Sequence, residues 1–409
     1  MSVYEKFKQI CKKLDHYPTQ SELIYKFGLN REDLKEIFLE KFMDDEYQKT
    51  PLESPSGTHL LYWKNEKIVM HFQGSQDLIR NSEMNQFSDF RNSEILNGFV
   101  FSEIESSLAI EGIRSTRVQI EKLDQANYED LDQLNDIIVK NMLLGYEFVK
   151  GHDITEENIF RLYKILSKKC LKDTEQLIPD ALYRHDEVNI VDGANAVVDR
   201  GVDWNLLPTL MSQLIDFMNT DKTYEEHLIA SHIIHYYLVY LHPYFDYNGR
   251  MARVVSFWYN LKHAPSLSLL LVSEAINNRI HKQGYYNAIM NSRNAGNDIT
   301  YFLEYMGDIV LKYSKIYINF YSIKAQLKGK GMIISRALEI ALKNVLAIPV
   351  TGEGFFDWKD YKDFSHDSFS KQYYLRLLND LTELQILKVV EHKKSNLYQL
   401  NADLWDLIL

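Results

Sequence analysis

The sequence predicts a mainly α-helical protein: a helical core interrupted by one β-hairpin, a mixed α+β accessory region before it and a small helix-and-hairpin domain after it. Three observations predict this. From about residue 95 to 328 the apolar residues recur mostly at helical spacing. Within that stretch Leu228 to Leu241, LIASHIIHYYLVYL, is apolar almost all round, as a buried helix is, and is too short to span a bilayer. The exception, YRHDEVNIVDGANAVVDRG from Tyr183 to Gly201, has short Val/Ile runs on either side of Asp192-Gly193-Ala194-Asn195 and reads as a hairpin.

Three regions follow: 1–94, 95–328 and 329–409. In the first, PTQSELIYKFGL and LKEIFLEKFM have helical character, TPLESPSG (Thr50 to Gly57) is a turn-rich break, and HLLYWKNEKIVMHF reads as two strands around Lys64-Asn65-Glu66. KAQLKGKGM (Lys324 to Met332) reads as a linker with two glycines and three lysines. After it come a helix, WKDYKDF, the helical SKQYYLRLLNDLTELQ, and two strands around Lys393-Lys394-Ser395-Asn396; this order resembles a winged helix. From Gly331 onward there are nine Lys/Arg and eleven Asp/Glu, so no strongly basic face is predicted and DNA is not an expected partner.

The 409 residues, 45% hydrophobic, suffice for sizeable cores, and a formal net charge of -11 argues against generic binding to nucleic acid or anionic membranes. Two cysteines, Cys11 and Cys170, suit a reducing compartment. The start, MSVYEKFKQICKKL, lacks the apolar run of a signal peptide, and no stretch predicts a membrane span. The expectation is a soluble, cytoplasmic protein with no membrane partner.

LHPYFDYNGRMARVV (Leu241 to Val255) concentrates the chemistry. The helix ending at Leu241 stops before Pro243, because a residue preceding proline disfavours the α region. His242 therefore stands at a helix end. Asn248-Gly249 is a turn signal, and Arg250 and Arg253 share one face of the first turn of the next helix. Arginine there opposes the helix dipole at a cost of about 0.3–1 kcal/mol each. A bound anion reverses that sign and meets the free N–H groups of the helix start. Asp246 repels phosphate unless it holds Mg²⁺, and His242 is suited to general-base work. Taken singly, each residue is compatible with a helix cap or a surface ion pair; in this order the set suits phosphoryl or nucleotidyl transfer.

His242-Pro243-Tyr244-Phe245-Asp246-Tyr247-Asn248-Gly249-Arg250-Met251-Ala252-Arg253 resembles the motif of Fic proteins, HPFxDGNGRxxR. Tyr244 replaces Phe, and Tyr247 replaces a glycine that allows close backbone approach to phosphate. The resemblance covers roughly residues 95 to 320 and implies a Fic-type helical core with a hairpin flap. It implies that His242 deprotonates a target hydroxyl, Asp246 binds Mg²⁺, and Tyr247, Asn248, Gly249, Arg250 and Arg253 line the nucleotide phosphates. The product it implies is AMP, from ATP, on a protein Ser, Thr or Tyr.

A second stretch, SSLAIEGI (Ser106 to Ile113), places Glu111 in the last turn of a helix with Gly112 as its C-cap. A glutamate at that end also opposes the dipole. A glutamate and two arginines thus each sit at the wrong helix end, and pairing Glu111 with an arginine relieves both. Ser107 to Gly112 resembles the inhibitory-helix motif of Fic proteins, S/T-x-x-x-E-G/N, whose glutamate pairs with the second motif arginine, here Arg253. The resemblance further implies that Val188, Asn189, Ile190 and Val191 form a flap that pairs with a target segment by strand addition, and that Tyr286, of the pair Tyr285-Tyr286, lies near the adenine. His232 and His235 are expected to be core residues.

These readings converge on a self-inhibited, Mg²⁺-dependent protein adenylyltransferase. Its partner is a protein carrying a hydroxyl side chain, and self-modification and homodimer formation are compatible with it. Three rivals stand beside it: transfer of another phosphate-linked group, removal of AMP through Glu111, and a winged-helix regulator whose Fic core only binds nucleotide.

Overall fold

Short polar side chains set the first helix starts. The computed structural model describes residues 1–81, 94–191, 197–264, 272–277, 279–348, 354–365, 369–390, 396–405 and 407. Ser2, Thr19 and Asn30 open helices α1 (Val3–Lys13), α2 (Gln20–Tyr25) and α3 (Arg31–Lys41) with reciprocal capping boxes completed by Glu5, Glu22 and Asp33, each cap contributing about 1 kcal/mol. Strands β1 (Tyr47–Glu53) and β2 (His59–Trp63) then pair antiparallel. The TPLESPSG stretch thus supplies the end of β1 and the hairpin's own turn. The expected hairpin around Lys64-Asn65-Glu66 is corrected: helix α4 (Glu66–Asn81) begins there. Asn65 is its cap, with its side-chain oxygen accepting the Ile68 N–H at 2.8 Å. Ile68 and Phe72, four apart, are buried in α4, which packs on α14 (Thr300–Gly329).

The first three helices and β1 enclose their own apolar cluster, including Phe7, Ile10, Leu23, Ile37 and Tyr47, with Tyr301 from α14. A buried ion pair fastens this unit to the core: Lys41 Nζ lies 2.7 Å from Asp298, whose carboxylate also accepts the Tyr17 hydroxyl at 2.7 Å.

Between these units the core runs through α5 (Glu94–Ile110), α6 (Arg117–Asp124), α7 (Leu134–Lys150), α8 (Glu156–Ser167), the antiparallel strands β3 (Asn189–Val191) and β4 (Val197–Arg200), α9 (Leu207–Asn219), α10 (Tyr224–Leu241), α11 (Asn248–His263), α12 (Val272–Asn277), α13 (Arg279–Asn294) and α14. The α10–α11 pair is the centre. Every residue of α10 from Leu228 to Leu238 is buried, which explains its apolar sequence on all faces. His232 stacks near Phe72, and burial pushes it down to about 3. His235 Nε2 meets the Tyr285 hydroxyl at 2.8 Å.

The third region adds α15 (Arg336–Ala347), α16 (Trp358–Phe364), α17 (Lys371–Glu383), the antiparallel strands β5 (Leu387–Val390) and β6 (Leu397–Leu400), and α18 (Ala402–Trp405). Residues 393–395 of the expected turn lie outside the described residues. The linker reading of Lys324 to Met332 is corrected at its start: α14 continues to Gly329, because Phe320, Ile323 and Leu327 extend its buried stripe. The chain leaves the helix direction at Gly331, with φ 74°. Among the described residues, no helix is long and apolar enough to cross a membrane.

Candidate active site

The loop between α10 and α11 is built by three of its own residues. His242 caps α10 in the left-handed region (φ 53°, ψ 59°), its N–H donating to Leu238 O. The Asn248 side chain clips the loop to itself: its oxygen accepts the Tyr244 N–H at 3.0 Å, and its amide donates to Tyr244 O at 2.8 Å. Tyr244 is buried and stacks on Tyr163 with ring centroids 3.8 Å apart. Asn248 therefore spends its side-chain amide on the loop. What it can offer an anion is its backbone N–H, one of the early N–H groups of α11 without an intrahelical acceptor.

His242 Nδ1 lies 3.2 Å from Val239 O. A carbonyl only accepts, so Nδ1 carries the proton and Nε2 is left with its lone pair. Burial, with Arg184 and Arg293 adding to it, pushes His242 down to about 4. The imidazole is therefore neutral at pH 7, the state a general base requires.

Tyr247 caps α11 with φ 70°, the left-handed region that favours the glycine it replaces. Its ring is buried, with 3% exposure, and Arg250 lies over it at 3.4 Å from guanidinium carbon to centroid. Its hydroxyl meets the Cys170 thiol. The substitution thus places an aromatic face beneath the first motif arginine, a cation–π contact. Asp246 is exposed, and one carboxylate oxygen accepts the Tyr247 N–H at 2.6 Å.

Helix α5 ends on this loop. The N–H of Ile113 donates to Leu108 O and that of Gly112 to Ala109 O, with Gly112 at φ 80°; this is the Schellman closure that glycine permits. It makes Glu111 the C-cap residue, one position beyond the helix. From there Glu111 reaches both arginines: Oε1 to Arg253 Nη2 and Oε2 to Arg250 Nε, each 2.6 Å. Ser107, one turn earlier, accepts Arg253 Nε on its hydroxyl at 2.7 Å and Nη2 on its carbonyl at 3.2 Å. The sequence led us to expect Arg253 alone as the partner. Arg250 Nε, whose ion-pair contact with Glu111 lacks hydrogen-bond geometry, and Nη1 are both buried without a hydrogen-bond partner among the described residues, and Nη1 is a donor left for an incoming group. A Cβ at Gly249 would lie 3.0 Å from Glu111 Oε1 and 3.1 Å from Arg253 Nη1, so a side chain there would press on this pairing.

The arrangement is a neutral imidazole, an exposed carboxylate and two arginines at a helix start, closed by a glutamate from another helix. Residues 153–259 match the Fic/DOC family. The chain carries a Fic domain. A Fic family protein from Desulfovibrio desulfuricans G20 is 21% identical over 83% of this chain and 97% of its own, with a TM-score of 0.51, so the fold is shared. A Fic domain containing signaling protein from Bacteroides thetaiotaomicron VPI-5482 is 18% identical over 66% of this chain and 99% of its own, with a TM-score of 0.44. No curated protein matches the chain.

Around the Fic domain's loop, the remaining sequence candidates divide. Tyr286 is 42% exposed and edge-on to the buried Tyr285; Arg253 and Glu111 are close enough to act on its hydroxyl. Asn189 and Ile190 pair with Arg200 and Asp199 as a hairpin, and Val188 O accepts the Gly201 N–H. Val191 pairs with Val197, while the expected turn at Asp192 to Asn195 lies outside the described residues.

Three basic residues escaped the sequence reading. Lys282 of α13 donates to Ile110 O at 2.7 Å, closing the C-terminal end of α5 with a cation. Arg293 pairs with Asp199 and donates to Arg200 O at 2.6 Å, fastening β4. Arg184 is buried at the base of the flap, with its Nε 2.8 Å from His242 O. A lone basic residue outside a motif carries little signal.

Proposed function

We propose that this Fic domain protein is a self-inhibited, Mg²⁺-dependent protein adenylyltransferase that moves AMP from ATP to a Ser, Thr or Tyr hydroxyl of a protein target. The observation that carries the reading is the double ion pair of Glu111. Two buried arginines at the start of α11 gather on one carboxylate, in the place where an anionic substrate would be held.

The chemistry follows from the residues. His242 Nε2 takes the proton of the target hydroxyl. The hydroxyl oxygen forms a bond to the α-phosphorus of ATP, the bond from that phosphorus to the bridging oxygen breaks, and pyrophosphate leaves. Arg250, Arg253 and the first N–H groups of α11 hold the phosphates, and the Tyr247 ring lies beneath the Arg250 guanidinium. Among the described residues no three acidic, cysteine or histidine side chains gather to cage a metal. A single carboxylate, Asp246, suits Mg²⁺, which is bound by one or two carboxylates plus substrate phosphates and water. When bound, Mg²⁺ would neutralise phosphate charge. Val188 to Val191 would present the target segment beside His242 by strand pairing.

While Glu111 occupies both arginines, the nucleotide meets an engaged clamp and a nearby like charge. Intact-mass measurement of Glu111→Gly, incubated with Mg²⁺ and separate nucleotide donors, tests the reading. Addition of one AMP group from ATP is the expected result. Addition only from a different donor would replace adenylyl transfer by transfer of another group, and no covalent product on any protein would refute transferase activity.

A further inference from the structure

Arg184 is 2% exposed. Among the described residues no carboxylate is hydrogen-bonded to it, though Asp203, Asp186 and Glu187 lie near enough to act on its charge; its donors are spent on backbone carbonyls. Nε donates to His242 O at 2.8 Å, Nη1 to Asp186 O at 2.7 Å, and Nη2 to Val202 O. Its own backbone N–H donates to Pro243 O at 2.9 Å. Asp186 lies on the way into the flap hairpin and Val202 on the way out, while His242 and Pro243 begin the catalytic loop. One planar guanidinium therefore joins three separate chain segments, a task that a fixed fork of five donors performs and an ammonium does not.

Room for this side chain is made by Gly201: a Cβ there would lie 2.7 Å from Arg184 Nη2 and 2.6 Å from Val188 Cγ1. The segment it holds is also a costly one. His242 is a non-glycine residue with positive φ, a costly conformation that persists only when its surroundings enforce it.

We infer that Arg184 is a positioning residue that clamps the two ends of the flap hairpin onto the carbonyl of His242, so that target docking on the flap and the aim of the His242 imidazole are set together. The inference rests on the transferase reading for its kinetic consequence, though not for its geometric one. Arg184 touches neither nucleotide nor hydroxyl; it acts through the backbone of the base. Its cation and that of Arg293 face His242, with Asp199 opposing them, so its removal also shifts the histidine's titration upward.

The test uses the full chain in the Glu111→Gly background. Arg184→Met is expected to lower kcat by about tenfold or more while KM for ATP changes less than about twofold. Arg184→Lys should recover only part of the loss, and ethylguanidinium should restore part of the activity of Arg184→Ala. The acid limb of kcat in Arg184→Met should move to higher pH. The His242 Cε1–H resonance should shift as well and titrate higher, a readout independent of any transfer. If the Glu111→Gly parent itself transfers nothing, the transferase reading fails, and the resonance alone then decides the positioning role. Should Arg184→Met fail to fold, Gly201→Ala, which intrudes on the guanidinium, is expected to give the same loss in kcat. A folded Arg184→Met with parental kcat and an unmoved His242 resonance would overturn the inference. So would a loss that neither lysine nor ethylguanidinium relieves, with that resonance unmoved.

Discussion

Glu111→Gly should raise the rate of AMP transfer at saturating ATP and Mg²⁺ by between ten- and about 150-fold. The magnitude follows from what the nucleotide must displace. Glu111 makes two contacts of 2.6 Å to arginines whose side chains are 5% and 3% exposed, while its own is 25% exposed. A hydrogen bond to a charged group contributes about 1.5–3 kcal/mol. One such bond, Arg253 Nη2 to Glu111 Oε1, and the Arg250 Nε ion pair beside it are not lost outright, because phosphate oxygens replace the carboxylate and Glu111 regains water. The net bias against the competent arrangement is then about 1.4–3 kcal/mol, the usual range of a coupling energy. The brake is also preorganised: Ser107 holds Arg253, and Lys282 holds the last carbonyl of α5. Little further ordering is needed to close it.

A four-member cycle of wild type, Glu111→Gly, Arg253→Ala and the double variant isolates the pair. Glu111→Gln should activate less than Glu111→Gly, since it removes the charge and keeps the bulk beside Gly249. Adding Arg253→Ala to Glu111→Gly should cancel the gain, because the same arginine is needed for phosphate; the two changes are strongly non-additive. The assay is the initial rate of labelled AMP incorporation into a competent target. A Glu111→Gly enzyme no faster than wild type would refute the reasoning, leaving the two ion pairs as ordinary closure of the α5–α11 contact.

Further outcomes test the rest of the site. His242→Ala should abolish transfer and leave ATP affinity within a few-fold by calorimetry, since its Nε2 acts on the hydroxyl and not on phosphate; equal loss of both would make the histidine structural. Asp246→Ala should remove the response of transfer to Mg²⁺ across a metal titration, and undiminished Mg²⁺ dependence would exclude it as the ligand. On acidification from pH 6.5 to 4 the melting temperature should fall. Burial holds His232 down to about 3 and His242, His263 and His281 down to about 4, all below the unfolded value near ~6.5, so the unfolded chain binds more protons in that window. Glu103, pushed up to about 7 by burial, works with the opposite sign as pH falls from 7, so Glu103→Gln should steepen the loss. A melting temperature that is flat or rising over that range would contradict these burial effects.

Much of the site was legible because its residues break a local rule. Arg250 and Arg253 stand at a helix start and Glu111 at a helix end, each against the dipole, and the fold brings the three together. The helical core was legible for the opposite reason: α10 is apolar on every face, and that composition has few outcomes other than burial. Where the reading failed, a local signal had two physical solutions. Asn65 is equally a turn residue and a helix cap, and Ile68 and Phe72 decide for the helix only because α14 lies against them. Two glycines made Lys324 to Met332 look like a linker, yet the buried Leu327 carries the helix past Lys324. Arg184 and Lys282 were not legible at all. Their acceptors are backbone carbonyls, and a carbonyl is present at every residue of any sequence.

Tyr247 shows how a departure from a motif can be absorbed. Glycine suits a left-handed position because it has no Cβ to clash, and tyrosine pays that conformational penalty. The side chain then has to go somewhere. Here it turns beneath Arg250, into a site shared with Cys170, and away from the Glu111 contact. Arg250 gains an aromatic floor that a glycine could not give. The guanidinium lies over that floor, and Glu111 Oε2 meets its Nε there at 2.6 Å. The clamp for an anion and the brake upon it thus rest on the same ring. Loosening that ring should weaken both, so its effect on turnover should be smaller than its effect on either nucleotide affinity or inhibition measured separately.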